Sequence, residues 1–164
     1  MKTAKPYKMA LTLDFYRSYT AIMRVMAIDY GDRRIGLALS DELGLTARPL
    51  TTIDRLPKQR SFQQIAQYAS YYDVSCVVVG LPLRLDGTEG DAAARIKNFI
   101  ATLRTMLPCK VEAWDEKLTS YEAEERMREA GLNREERKKR VDEFAATIIL
   151  ESFLQCGNQD RGID

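Results

Sequence analysis

Four acidic residues stand where core-type residues are expected. Asp29 closes the apolar run VMAID, Asp142 lies in the C-terminal stretch RVDEFAATIIL, and Asp115 and Glu116 follow VEAW. A carboxylate among apolar neighbours needs a hydrogen-bond network, a cation or a reaction to serve. Carboxylates brought together from separate elements suit a hard divalent cation. The chain contains no histidine, which removes a histidine base, a Ser-His-Asp triad and any imidazole zinc site. Chemistry is left to carboxylates, lysine, tyrosine, thiols or a hard metal.

The surroundings of each acid sharpen the choice. At about 100° per helical residue, Ala146, Ile149 and Phe153 fall within about 40° of Asp142, with Lys138 one turn before it on the same side. Asp142 is thus central to an apolar face, whereas Glu143, Thr147 and Glu151 are expected on the outward side. Two roles fit Asp142: a buried ion pair to Lys138 or to an arginine of the sheet, or a metal ligand in partnership with Asp29. Beside Asp29, Gly31 and Gly36 permit tight turns and close approach of a ligand, and Arg33 and Arg34 are placed to meet phosphate. A plain hairpin would use the same glycines. In WDEKLTS, alternation puts Asp115 on the face of Val111 and Ala113, and Glu116 falls beyond the regular strand, so periodicity does not choose between them. The loop GLPLRLDGTEG offers Gly80, Gly87, Gly90 and Arg84 to an anion, but no GKS or GKT follows, so it is not a Walker A loop. Arg134, Arg137, Lys138, Lys139 and Arg140 precede Asp142. Such a run is ordinarily a solvated face, yet next to a carboxylate cleft it can hold a nucleic-acid backbone.

The elements that must position these residues are legible in outline. Val25, Ala27 and Asp29 share one face of a first strand, and Met26, Ile28 and Tyr30 share the other, so both faces are expected to be covered. After a turn at Tyr30–Asp32, a second strand is expected over 35–39 and a third, edge strand over 48–53, opened by Pro49. Phe62, Ile65, Ala66 and Ala69 then recur at helical spacing before a central strand over 74–79. Ile96, Phe99, Ile100 and Leu103 form a second helical stripe before a strand over 110–114. Thr119 with Glu122 fits a capping box for a short helix ended by Gly131, and Asn133 with Glu136 caps a last helix of about twenty residues. The pattern predicts an α/β fold with a mixed five-stranded sheet and flanking helices.

With 164 residues, 45% of them hydrophobic, the chain suits one substantial core. Residues 1–22 have no clean period and are expected to be an extension; 23–156 form the domain and 157–164 a polar tail. No apolar run reaches the length of a membrane span, so a soluble, cytoplasmic protein is expected. Three widely separated cysteines suit reduced thiols. A net charge of +1 gives no protein-wide attraction for nucleic acid, leaving any such binding to local basic patches.

Taken in order, AIDYGDRRIGLALSD, TARPL, VVVGLPLRLDGTEG, WDEKLTS and KKRVDEFAATIIL resemble the motifs of the YqgF family. These are Holliday-junction-resolvase-like proteins described as pre-16S rRNA nucleases with a ribonuclease H-like fold. The resemblance spans roughly residues 24–154. It implies a sheet of order 3-2-1-4-5 and a catalytic, metal-holding trio of Asp29, Glu116 and Asp142, so it selects Glu116 over Asp115. Mg²⁺ or Mn²⁺ is the implied cofactor, with Arg33, Arg34, Arg84, Lys117, Arg137 and Lys138 as nucleic-acid contacts. Structured precursor rRNA is the implied substrate, cut at the 5′ end of pre-16S rRNA by a monomer or homodimer. Competing readings are a DNA junction resolvase, a non-catalytic RNA-binding ribosome-assembly factor, and a nucleotide-binding domain like those of actin and sugar kinases, whose phosphate hairpin the DYG segment also resembles.

Overall fold

A computed structural model describes residues 24–82, 90–116 and 119–160, with the backbone alone at 116, 119–121 and 158–160. The described elements run in the order β1 (Arg24–Tyr30), β2 (Arg34–Ser40), β3 (Ala47–Asp54), α1 (Lys58–Tyr71), β4 (Val74–Pro82), α2 (Asp91–Met106), β5 (Lys110–Glu116), α3 (Thr119–Glu129) and α4 (Arg134–Asp160). The sheet order is β3-β2-β1-β4-β5. β1 pairs antiparallel with β2 and parallel with β4, and β5 joins β4 in parallel. The expected strand order and mixed pairing are therefore observed. Among the described residues, no helix is long and apolar enough to cross a membrane.

The alternation of β1 divides the core in two. Met26 and Ile28 pack with Val77, Val79 and the buried stripes of α1 and α2, while Val25 and Ala27 pack with Cys76, Val78 and the apolar face of α4. Tyr30 ends β1 on the α1/α2 side, its ring stacked 4.2 Å from that of Phe99. Asp29, one residue earlier, therefore belongs to the α4 side. The parallel strands β1, β4 and β5 all finish at one edge, where a sheet with crossover helices gathers its ligands. Both later strands run further than expected, β4 to Pro82 and β5 to Glu116, which are register partners. The third strand is an edge strand as expected. It starts before Pro49, which lies at the register shift opposite Ala38, a place where a residue without an N–H is tolerated.

Helix starts follow the sequence cues in part. Asn133 Oδ1 accepts the N–H groups of Glu135 and Glu136, each at 3.0 Å, and Glu136 Oε2 accepts the Asn133 N–H at 2.8 Å. This is a complete capping box. Gly131 sits at φ +75° just past α3, as a helix-terminating glycine does. The capping box expected for α3 rests on Thr119, whose side chain lies outside the described residues. Glu122 pairs with Arg126 one turn later, and Arg126 also meets Glu151 of α4. The last helix has 27 residues rather than about twenty, because the buried Gly157 does not stop it; a helical glycine costs only about 1 kcal/mol.

The outward face assigned to Glu143 and Thr147 is a further correction. Both are buried, at 8% and 6% exposure, and Glu143 is held by Arg140. Helix α4 crosses β1, β2 and β3 and also carries α3, so every residue from Ala145 to Leu150 is buried. A single-face pattern does not anticipate a helix covered on two sides.

The closest approach between layers is at Gly36. A Cβ placed there would lie 1.9 Å from the Asp142 carbonyl oxygen and 2.7 Å from the Glu143 nitrogen. We expect Gly36→Ala to destabilise the protein by about 3 kcal/mol, the upper range for overpacking a core, because the obstruction is backbone. Urea unfolding would measure this, and an unchanged midpoint would contradict it.

Candidate metal and nucleic-acid site

Asp29 and Asp142 both flank Gly36. Asp29 is the direct cross-strand partner of Gly36, and opposed residues of an antiparallel pair present their side chains on the same face. That face is the one on which the Asp142 backbone rests against Gly36. A Cβ at Gly31 would lie 3.6 Å from Asp142 Oδ1, so the turn after β1 closes over the same carboxylate. The close approach expected at the glycines is therefore made by α4, not by a ligand alone.

Asp142 is largely buried, and its Oδ2 lies 3.0 Å from Arg34 Nε with 18% of the side chain exposed. The contact is an ion pair poorly directed for a hydrogen bond, since Oδ2 is buried without a hydrogen-bond partner among the described residues. Arg34 also donates to the Lys138 carbonyl at 2.7 Å. The arginine of the sheet, rather than Lys138, is thus the ion partner of Asp142. Burial pushes the Asp142 carboxyl above its ordinary range, and the Arg34 charge offsets only part of this. A half-buried carboxylate that one guanidinium does not fully compensate has the donor chemistry for a hard divalent cation.

Glu116 is described by its backbone alone. It ends β5 opposite Pro82 and shares strand parity with Trp114, whose ring packs edge-on to Phe153 of α4. Position 116 thus falls at the α4 face of the sheet, with Asp29. Asp115 has the parity of Val111, which packs on the α1/α2 side. The extra length of β5 supplies the parity argument that the sequence lacked. Among the described residues, no group of three acidic or thiol side chains gathers as a metal cluster; the Glu116 side chain is outside that set.

The basic candidates separate by environment. Arg33 and Lys138 are exposed. Arg34 is engaged with Asp142, and Arg137 donates to the Leu132 carbonyl at 2.7 Å, fastening the α3–α4 junction. Arg84 and Lys117 lie outside the described residues. Two arginines not singled out by the sequence, Arg55 and Arg95, line a cavity of about 190 Å³ at the same sheet edge, with Tyr30, Gly31, Asp32 and Ala92. The available cue was an arginine directly after an edge strand, in TTIDR.

A mixed 3-2-1-4-5 sheet with acidic residues ending β1 and β5 and another on the final helix is a ribonuclease H-like fold. The family model described as RuvX, Holliday junction resolvase, matches residues 23–156. A protein of Syntrophus aciditrophicus named "Putative pre-16S rRNA nuclease" is 44% identical over 139 residues, covering 85% of this chain and 93% of its own. A protein of the same name from Halothermothrix orenii is 40% identical over 140 residues, covering 85% and 100%. The chain belongs to the RuvX family, in agreement with the YqgF motifs. The fold is also that of Thermus thermophilus RuvC in complex with a Holliday junction substrate, with TM-score 0.51, 15% identity, and coverage of 86% of this chain and 97% of that one. The fowlpox virus Holliday junction resolvase gives TM-score 0.50 at 14% identity, covering 81% and 99%.

The uncompensated charge of Asp142 has a measurable consequence. Its folded-state pKa is raised, so the native state binds more protons than the unfolded chain as pH passes through the carboxylate range. Stability from this group is full below the unfolded pKa and is lost as pH rises through the folded one. In metal-free buffer, Asp142→Asn is therefore expected to melt no lower than the parent at neutral pH, with any advantage vanishing in acid. Calorimetry across pH would check this; a markedly lower melting temperature for the variant at neutral pH would show that the Arg34 pair outweighs desolvation.

Proposed function

We propose that this chain is a nuclease dependent on a divalent metal, hydrolysing phosphodiester bonds at the 5′ end of pre-16S rRNA in the cytoplasm. The observation that carries the reading is the Asp142 backbone seated on Gly36, the cross-strand partner of Asp29. That contact sets the last helix at Asp142 beside the first strand at Asp29, near the edge where β1, β4 and β5 end. The names of the relatives support the rRNA assignment.

Asp29, Glu116 and Asp142 would hold Mg²⁺ or Mn²⁺. When bound, such an ion supplies Lewis-acid stabilisation of the phosphoryl oxygens and activates water for in-line attack. Gly31 and Gly36 let the backbone close round Asp142, and Arg34 neutralises that carboxylate in the metal-free protein and stays beside it as an orienting cation. Arg33 and Lys138, exposed near the same carboxylates, are assigned to the nucleic-acid backbone, with Arg84 and Lys117 from the adjoining segments.

A second reading, cleavage of four-way DNA junctions, is favoured by the family model's description and the RuvC likeness in fold. Cutting symmetry-related strands calls for two centres in a dimer, whereas trimming one RNA end needs one. Purified protein should be compared on precursor rRNA, single-stranded RNA and a four-way DNA junction, with and without Mg²⁺. The proposal predicts Mg²⁺-dependent cleavage that prefers precursor rRNA. Preference for the junction would replace it with resolution, and metal-independent RNA binding without cleavage would replace it with an assembly factor.

Within that assay, Asp142→Asn is expected to lower kcat by about 100-fold or more, equivalent to about 3 kcal/mol of transition-state stabilisation. Glu135→Gln, on the exposed first turn of the same helix, should leave the rate within about twofold. Glu143 is unsuitable as the control because it is buried and ion-paired. Equal turnover by wild type and a folded Asp142→Asn across a Mg²⁺ titration would remove Asp142 from the site.

A further inference from the structure

The α1/α2 side of the sheet edge carries a second feature, separate from the carboxylates. Arg55 follows β3 and reaches across the turn after β1. Its Nη1 donates to the Asp32 carbonyl at 2.9 Å and approaches the Gly31 carbonyl at 3.5 Å. The guanidinium lies 5.0 Å from the centroid of the Tyr30 ring. An arginine fixed by backbone carbonyls and an aromatic face loses little freedom on meeting a ligand. Arg95, on the second turn of α2, borders the same cavity.

Both guanidiniums share one carboxylate. Asp32 Oδ1 is 3.4 Å from Arg95 Nη2 and 4.0 Å from Arg55 Nη1, while the Asp32 side chain is 87% exposed. Among the described residues, Asp32 is the one ion partner of Arg95. Exposed pairs of this kind contribute little stability, so a stronger anion can displace the carboxylate at small cost. Two cations against one anion leave the cavity net positive. The start of α2 at Ala92 lines it as well, adding the N–H groups that a helix leaves unsatisfied at its first turn.

We propose that Arg55 and Arg95 form a phosphate subsite for a nucleic-acid strand that passes over the end of β1, with Asp32 occupying the phosphate's position in the free protein. The inference rests on the nuclease reading above and adds a substrate contact on the face opposite the carboxylates. Asp29 and Tyr30 are consecutive and point to opposite faces, so a strand crossing this edge meets the reactive centre on one side and the arginine pair on the other. Guanidinium pairs favour phosphodiester oxygens through charge-assisted, bidentate hydrogen bonds. The subsite recognises backbone and reads no base.

The test is fluorescence anisotropy on a labelled RNA hairpin with a single-stranded tail and on a labelled four-way DNA junction, in EDTA, over a salt series. Arg95→Gln and the Arg55→Gln/Arg95→Gln double variant are compared with Asp32→Asn. Lys110→Gln controls for loss of one charge at the opposite end of the sheet. Arg95 is 55% exposed, so its single variant keeps the test valid if the double variant unfolds. Arg95→Gln should weaken both probes by about tenfold and make the slope of log K against log salt shallower by about 0.7–0.9. Asp32→Asn should tighten both. If wild type binds and Arg95→Gln matches Lys110→Gln in affinity and slope, the subsite is overturned while the nuclease reading stands. A loss confined to one probe would also overturn a backbone-phosphate subsite. Failure of wild type to bind either probe would overturn the nuclease reading and the subsite with it.

Discussion

Helix α4 lies so close to β2 that position 36 has no room for even a methyl group, and the functional edge is organised around that contact. The Asp142 carbonyl occupies the space a Cβ at Gly36 would need, while Asp29 faces Gly36 from the neighbouring strand. Distance in sequence is thereby cancelled: a residue from the first strand and one from the last helix come to the same glycine because the chain has no side chain between them. The apolar face of α4 supplies the force that maintains the approach. Ala146, Ile149, Leu150 and Phe153 pack on Val25, Ala27, Ala38 and Val78, and each large side chain so buried contributes about 1.5–3 kcal/mol. Desolvation of Asp142 is a local cost carried by that packing and eased by Arg34.

Division of labour between the two faces of the sheet follows from β1. One face places Asp29 against α4; the other stacks Tyr30 on Phe99 and supports Arg55 through the Tyr30 ring. The strand end is therefore fixed from both sides, and the turn Gly31–Arg33 connects the proposed metal site with the proposed phosphate subsite over three residues. The proposed cation site and the proposed phosphate subsite thus lie on opposite faces of one strand end, each holding an ion pair of its own in the free protein, Asp142 with Arg34 and Asp32 with Arg95.

Much of this was legible from residue types alone. The alternation in β1 assigned Asp29 its face, the helical angle placed Asp142 among Ala146, Ile149 and Phe153, and an arginine of the sheet was one of the two ion partners named for it. Sheet order came from the family motifs and agrees with the pairing. Other features depended on tertiary partners that periodicity does not encode. Glu143 and Thr147 looked outward because an amphipathic pattern assumes one covered face, yet α4 is covered by the sheet and by α3. The faces of positions 115 and 116 needed the true end of β5, set by pairing with Pro82. Arg137, named for a nucleic-acid contact, also fastens the α3–α4 junction, and Arg55 and Arg95 carry no joint signal in the sequence because they share Asp32 only across the folded sheet.

The central claim is that the carboxylates gathered by the Gly36 contact bind a divalent cation. Anomalous diffraction from crystals of the protein soaked in Mn²⁺ tests it without reference to substrate or turnover. The expected result is a manganese peak bounded by the carboxylates of Asp29 at the end of β1, Glu116 at the end of β5 and Asp142 on α4, lost in Asp142→Asn. An occupied manganese position elsewhere, with Asp142 still held by Arg34 alone, would contradict it.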